Sequence, residues 1–479
     1  MATLEEVLQQ VDLLSRELLW RIPDIRKFDD YYRGKHNLRF ASDQFKDYFS
    51  ARYRDFADNW VQVVADAPVE RLEVTGIRLP GEDARTGDEE LWEWWLRNEA
   101  DALSDMAFLD AVIGKRAYAL VWGDAEGNPV ITWEHPSQAI IDYDPETRRR
   151  RAALKLWRDG DTEYATLYTP EWVYKFERPA IDERGRTPSG IYLPQANGES
   201  GWSPRQPESD STWPIPNPLG VVPMVEIQNR PRLLGEPQSD VSGTVSMQDS
   251  INLLWAYLFN TADYASFPQR VVTGAERPMM PILDDSGQVI GEKPVELKKF
   301  AVNRITWIED ENAKIHTWDA ADLENFTKVI EVQVSHIAAQ TRTPQHYLIG
   351  KMANLSGDAL KAAETGLVKR TEEKTEFFGR GVREIFALVA LVLNNPEKAR
   401  QVRRGTVLWK DVESRTEAQL ADSLLKLKQI GFPFEYLAEK YGLTPAEIER
   451  VMQMRDREAQ TDPVALAGQM LMQPQPEET

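Results

Sequence analysis

A nucleotide-hydrolysing loop needs glycines whose backbone N–H groups face the phosphates, then a lysine and a hydroxyl side chain. Gly114-Lys115 and Gly350-Lys351 come nearest to that pattern. Neither has a glycine five residues before its own, and Arg116 and Met352 stand where Ser or Thr is required. The five histidines (His36, His135, His316, His336 and His346) include no pair spaced to put two metal ligands on one helix face, and no His-Glu-x-x-His motif. Two carboxylate groups, Asp284-Asp285 and Glu309-Asp310-Glu311, have the composition of metal or glycosidic sites, but both sit beside turn residues and read as solvated hairpin tips. The 15 tryptophans include Trp92, Trp94 and Trp95 on a helical pattern and Trp122, Trp133 and Trp157 on strand patterns. Such positions favour packing over sugar stacking. The residues therefore predict no enzyme, no cofactor and no metal.

The elements that hold these groups belong to a folded chain of several parts. Of 479 residues, 28% are charged and 42% hydrophobic, which is globular rather than disordered. There is no cysteine, so disulfides and thiol chemistry are excluded, and a reducing cytoplasm suits the composition. The N-terminal segment lacks a secretory pattern, and the longest apolar run, residues 385–393, falls short of the roughly 20 residues a membrane span needs. A net charge of −20 argues against a protein that grips nucleic acid by neutralising phosphate. Residues 1–243 carry most of that acidity, with 43 acidic against 29 basic groups.

Apolar spacing of three and four predicts a helix from Leu4 to Leu18, a second after Pro23 that ends near Gly34, and a third over 57–67 stopped by Pro68. A strand follows from Arg71, then one helical stretch over 88–114. From Arg116 to Phe176, short alternating runs separated by Gly-Asn-Pro, Asp-Pro and Asp-Gly predict an antiparallel meander. Residues 179–223, crowded with Pro, Gly and Ser, read as an exposed connector, and 217–230 return to a β segment. A long helix is expected over 358–394, bent at Gly366, Gly379 and Gly381 and stopped by Asn394-Asn395-Pro396. Two or three shorter helices occupy 409–458, and the tail after Thr461 is expected to be loose.

Between these parts, two helical segments, 244–266 and 319–342, flank a strand-rich insert of about fifty residues. Such a hairpin projects without a core of its own, so an assembly is expected to cover it. The first helix has no Lys or Arg, and its two acids, Asp249 and Asp263, are fourteen residues apart, within roughly 40° of one face.

The order of blocks resembles the portal (head–tail connector) proteins of tailed double-stranded-DNA bacteriophages, most of all the siphovirus branch of Gram-positive and actinobacterial hosts. The blocks are NPLGVVPMVEIQNR (217–230), MQDSINLL (247–254), DYASFPQRVVTG (263–274), TPQHYLIG (343–350), NLSGDALKAAETGLVKR (354–370) and LWKDVESRTEAQLADSLLKLKQIGFP (408–433). FDDYYRGKHNL (28–38) and NWVQVVADAPVERLEVTG (59–76) extend the likeness toward the N-terminus.

The resemblance implies an α+β, mainly α, portal-type subunit of wing, stem, clip and crown, assembling into a dodecameric ring with a central channel. Its parts map as wing (1–243, with the long helix 358–396), stem (244–266 and 319–342), clip (267–318), tunnel loop (343–357), crown (397–460) and a flexible tail (461–479). The implied role is the conduit at one capsid vertex, assembled in the host cytoplasm, through which DNA is packaged and later leaves. Implied partners are further copies of the chain, passing double-stranded DNA, the terminase large subunit, the head–tail adaptor, and the major capsid protein with its scaffold, with no membrane. Asp249, Asp263, His346, Tyr347, Lys351 and Asn354 are the expected channel-facing groups, and Arg277, Met279, Met280, Asp284 and Asp285 the expected docking groups of the clip. The competing readings are a glycosidase-like virion hydrolase and a capsid scaffold or adaptor without a channel.

Overall fold

A computed structural model describes residues 2–36, 47, 56–81, 87–180, 201–205, 212–266, 270–273, 279–283, 287–294, 305–308, 322–349, 357–413, 417–443 and 445–461. The expected loose tail after Thr461 lies outside them.

The chain opens with α1 (Leu4–Tyr32), started by a reciprocal cap in which the Thr3 hydroxyl accepts from the Glu6 N–H and the Glu6 carboxylate accepts from the Thr3 N–H. The expected break at Pro23 is absent. Pro23 costs the helix one backbone bond, yet the apolar stripe Val11, Leu14, Leu18, Ile22, Ile25 runs buried through it on both sides. Tertiary burial outweighs the local penalty. Pro68 likewise lies inside the last turn of α2 (Trp60–Val69) instead of stopping it. After β1 (Val74–Arg78), the single stretch expected over 88–114 is two helices, α3 (Glu89–Arg97) and α4 (Ala100–Gly114). Glu99 between them has φ 52°, which no continuous right-handed helix accommodates.

The expected meander divides into two sheets. In one, β2 (Arg116–Gly123) lies between β3 (Pro129–Glu134) and a later strand, β10 (Met224–Gln228), all antiparallel. In the other, β4 (Ala139–Tyr143), β5 (Arg150–Asp159), β6 (Thr162–Tyr168) and β7 (Trp172–Pro179) run in order, with the short β8 (Ser203–Pro204) and β9 (Ile215–Pro216) both on β7. The strand β4 and the two short strands were not expected. Leu154 and Leu156 point at α1, whereas Ala153 points between the sheets with Tyr118, Val173 and Met224, as the two-residue period of a strand requires. The described parts of 179–223 are thus a sheet edge rather than an exposed connector. Trp202 is buried under the Arg178 guanidinium, and Trp213 Nε1 donates to the Lys175 carbonyl.

The helix hairpin begins with α5 (Val245–Ser266). In the insert, β11 (Arg270–Thr273) pairs in parallel with β14 (Ile305–Ile308), and β12 (Met279–Leu283) pairs with β13 (Val289–Pro294) as a hairpin. The return helix α6 (Glu324–Thr341) and the short α7 (Gln345–Ile349) lead to α8 (Gly357–Val392). The C-terminal half of α8 carries Phe378, Val382, Ile385, Phe386 and Val389 through the main core, against α2, α3, β2 and β10.

The helix α8 is continuous through its glycines, two of which permit close approach. A Cβ on Gly381 would lie 2.9 Å from Ile227 Cγ1, and one on Gly379 3.4 Å from Trp409 Nε1. Then α9 (Pro396–Val402) and β15 (Thr406–Trp409) return to the body, burying Ala399, Val402 and Val407, with β15 antiparallel to β1. The helices α10 (Glu417–Gln429), α11 (Phe434–Tyr441) and α12 (Pro445–Thr461) complete a mixed helix–strand chain.

Candidate functional site at the root of the helix hairpin

Helices α5 and α6 pack through Ile251, Ile330, Val334, Ile337 and Ala338, with Val64 of α2 and Leu348 of α7 joining the same cluster. The three- and four-residue spacing of the α6 members is the stripe that makes it a helix buried on one side. A polar seam runs beside this cluster. Gln248 Oε1 accepts from the Trp60 N–H at 3.0 Å, and the Asp58 carboxylate accepts from both Trp60 Nε1 (3.0 Å) and Trp255 Nε1 (2.7 Å). Asn252 Nδ2 lies 2.7 Å from His36 Nδ1. Burial lowers the His36 pKa, against the opposing pull of the Tyr31 carbonyl and the Asp249 charge.

Asp249 belongs to this seam, and the expectation that it faces a channel is corrected. Its side chain is fully buried, and Oδ1 accepts a 2.6 Å hydrogen bond from the Tyr31 hydroxyl of α1. Helical phase alone leaves open which side of α5 is covered; the body takes the Asp249 side. Asp263 lies on the same helix near its end, with its side chain outside the described residues.

A second polar knot fixes the hairpin to the long helix. Asp240, just before α5, lies 2.7 Å from Arg370 Nη2 and 2.6 Å from Lys374 Nζ, with all three side chains buried. Arg370 also donates to the carbonyls of Val64 (2.9 Å) and Thr341 (3.0 Å) and to the Thr343 hydroxyl (3.3 Å). Lys374 reaches Asn229 Oδ1 at 2.7 Å, and Asn229 Nδ2 donates to Asp240 at 2.9 Å. Burial alone pushes the Asp240 carboxyl up, but the Arg370 and Lys374 charges outweigh it and hold it well below the carboxylate range. Burial draws the Lys374 ammonium down to about 8. None of these residues was singled out in the sequence. The legible signal is that Arg370, Thr371 and Lys374 fall in phase with Leu367 and Phe378 on an otherwise apolar face.

The loop after α6 is partly described. His346 Nε2 is 3.8 Å from Glu364, and the Tyr347 hydroxyl accepts from Arg71 Nη2 at 2.6 Å. Arg71 also reaches Glu364 at 3.3 Å and the Val412 carbonyl at 3.2 Å, so this missed residue gathers the loop against α8. Lys351 and Asn354 lie outside the described residues, as do Arg277, Asp284 and Asp285. Met279 and Met280 are described, and they are 49% and 45% exposed on β12.

Among the described residues no group of three or more His, Cys, Asp or Glu is placed to hold a metal, and no helix is long and apolar enough to cross a membrane. Buried polar ties thus fix the root of α5, and the β12–β13 hairpin leaves apolar side chains exposed. The sequence pattern of the family "Phage portal protein, SPP1 Gp6-like" matches residues 14–461, and the chain belongs to that family. It is a phage portal protein, a structural component of the virion. It is 28% identical over 420 residues to the portal protein of Mycobacterium phage D29 and 27% identical to that of Mycobacterium phage L5, covering 83% of this chain and 78% of each relative. A chain in the solved virion of a native gene transfer agent particle is a weak likeness, at TM-score 0.39 and 10% identity, covering 82% of this chain and 90% of that one.

Proposed function

We propose that the chain closes into a ring, of twelve copies as the family likeness suggests, around a channel for double-stranded DNA. The wing comprises residues 1–243 with α8, and the stem comprises α5 and α6. Residues 267–318 form the clip and 343–357 the tunnel loop. The crown begins at α10, because α9 and β15 are packed in the body.

The observation that carries this reading is the β12–β13 hairpin. Met279, Met280, Ile282, Leu283, Val289 and Ile290 are 38–67% exposed on it, whereas among the described side chains of the other strands Val130 is the one large apolar group that is exposed. Contiguous exposed apolar surface marks a contact made with another molecule. Neighbouring copies cover the sides of the insert, and Arg277, Met279, Met280, Asp284 and Asp285 meet the terminase large subunit during packaging and the adaptor afterwards. Capsid protein and scaffold meet the wing.

Helix α5 has no Lys or Arg and so gives a passing duplex no cation to bind. Asp263, His346, Tyr347, Lys351 and Asn354 remain the proposed channel-side groups, with Asp249 withdrawn. The chain has no catalysis of its own in this reading, and the driving ATPase is the partner's.

Class-averaged electron microscopy of purified full-length protein tests it. Closed rings with a central hole are expected; a monodisperse monomer or an open aggregate without a hole would rule the ring out.

A further inference from the structure

One part of this acidic chain is strongly basic. Between the six-stranded sheet, β10 and α8 lies a cavity of about 860 Å³ lined by Arg148, Arg149, Arg150, Arg380, Arg383 and Arg403. Among the described residues two carboxylates, Glu226 and Glu384, share its wall, and both are engaged: Glu226 with Arg116, and Glu384 with Arg150 and Arg403. Among the described residues, Arg148, Arg149 and Arg380 form no ion pair with a carboxylate. A second cavity of about 630 Å³ continues from the first, sharing Tyr143, Arg148 and Arg380, and adds Arg232.

The arginines converge from distant parts of the sequence: the β4–β5 turn, α8 and the segment after α9. Arg148 sits in that turn at φ 58°, a left-handed conformation that glycine would adopt without strain. The turn holds it there, with the Asp144 carboxylate accepting from the Glu146 and Thr147 N–H groups and the Asp144 carbonyl from the Arg148 N–H.

The walls are not uniformly polar. Pro170, Val221 and Val222 line the first cavity, and Phe377, Leu233 and Leu234 line the second. Leu233 and Leu234 are 95% and 87% exposed, at the tip of a loop held by Pro231 and Pro237 and by the Arg116–Glu236 ion pair.

We propose that this paired cavity is a docking site for an acidic, leucine-bearing peptide segment of another protein. Unpaired guanidinium forks match carboxylates in bidentate geometry. The adjoining aliphatic and aromatic wall takes side chains that a phosphate backbone lacks.

Fluorescence anisotropy on the full-length protein in its native assembly state tests the proposal. The probes are a labelled peptide of repeated Glu-Glu-Leu units and a single-stranded oligonucleotide of equal charge. The peptide is expected to bind saturably, and Arg149→Glu and Arg380→Glu, both at exposed positions, each to weaken it about tenfold or more. Arg16→Glu, outside the cavity, is expected to change it little, and Leu233→Ser with Leu234→Ser to weaken the peptide more than the oligonucleotide. Circular dichroism melts confirm that the variants are folded. Absent peptide binding, or binding indifferent to both reversals, overturns the proposal. Tighter oligonucleotide binding lost through the same reversals makes the site one for nucleic acid and overturns it too. So does a reversal that changes the oligomeric state in light scattering, since the cavity is then covered by another copy.

Discussion

The Arg370 guanidinium lies 2.7 Å from the Asp240 carboxylate, with both side chains buried, and its remaining donors reach the carbonyls of Val64 and Thr341. One side chain thereby joins the approach to α5, the end of α6, α2 and the long helix. Removing Arg370 leaves Asp240 paired with Lys374, but it strips the buried Val64 and Thr341 carbonyls of their donor, and each unsatisfied buried acceptor costs about 1–3 kcal/mol. Arg370→Met is expected to destabilise the protein by about 2–4 kcal/mol in urea unfolding. Arg370→Lys keeps the charge but loses the fork that reaches both carbonyls, so a smaller loss is expected. Equal stability of the methionine variant and the parent would refute the role.

Asp249 supplies a second test. Tyr31→Phe removes the 2.6 Å donor from a buried carboxylate and is expected to cost about 1–3 kcal/mol, read from thermal melts. Asp249→Lys puts a cation into a space closed to water, so loss of soluble folded protein is expected. A folded Asp249→Lys variant would return this position to the channel surface.

Gly381 faces Ile227 at a distance no Cβ tolerates. Alanine there gains helix propensity, roughly 1 kcal/mol, but must displace the inner branch of a buried isoleucine beside the Glu226 carbonyl. A net loss of about 1–2 kcal/mol is expected. Adding Ile227→Ala, which removes Cγ1, is expected to recover part of it within a double-mutant cycle, and a cycle that is simply additive would exclude the clash.

Asp110 and His135 predict opposite pH dependences. Burial, then the Asp29 charge, raises the Asp110 carboxyl to about 7, against the pull of Arg33. The folded state therefore keeps a proton that the unfolded chain releases near 4, and stability is lost as pH rises from about 4 through 7. Burial lowers His135 to about 4, so its contribution is present above the ordinary histidine range and is lost as pH falls from about 6.5 through 4. Asp110→Asn is expected to gain stability relative to the parent at pH 8, on the order of 1–2 kcal/mol, and much less at pH 5. A melting-temperature difference constant across that range would contradict the assignment.

The periodic elements were legible because their signals are local. Strand β3 falls where alternation put it, and α5 and α8 begin and end within a few residues of expectation. The family order, too, was readable from short blocks along the chain. Pro23 and Pro68 misled because a proline's cost is local, whereas the burial that overrides it comes from partners remote in sequence. Strand β15 was missed because its pairing partner, β1, lies over three hundred residues earlier.

The sequence by itself determined the periodicity of the hairpin helices, the absence of basic charge from α5 and the family to which the chain belongs. Only the tertiary structure decided that Asp249 faces Tyr31, that Asp240, Arg370 and Lys374 meet, and that six arginines from three separate segments share one cavity. Helical phase fixes which residues share a face; what covers that face depends on contacts between segments that no local pattern encodes.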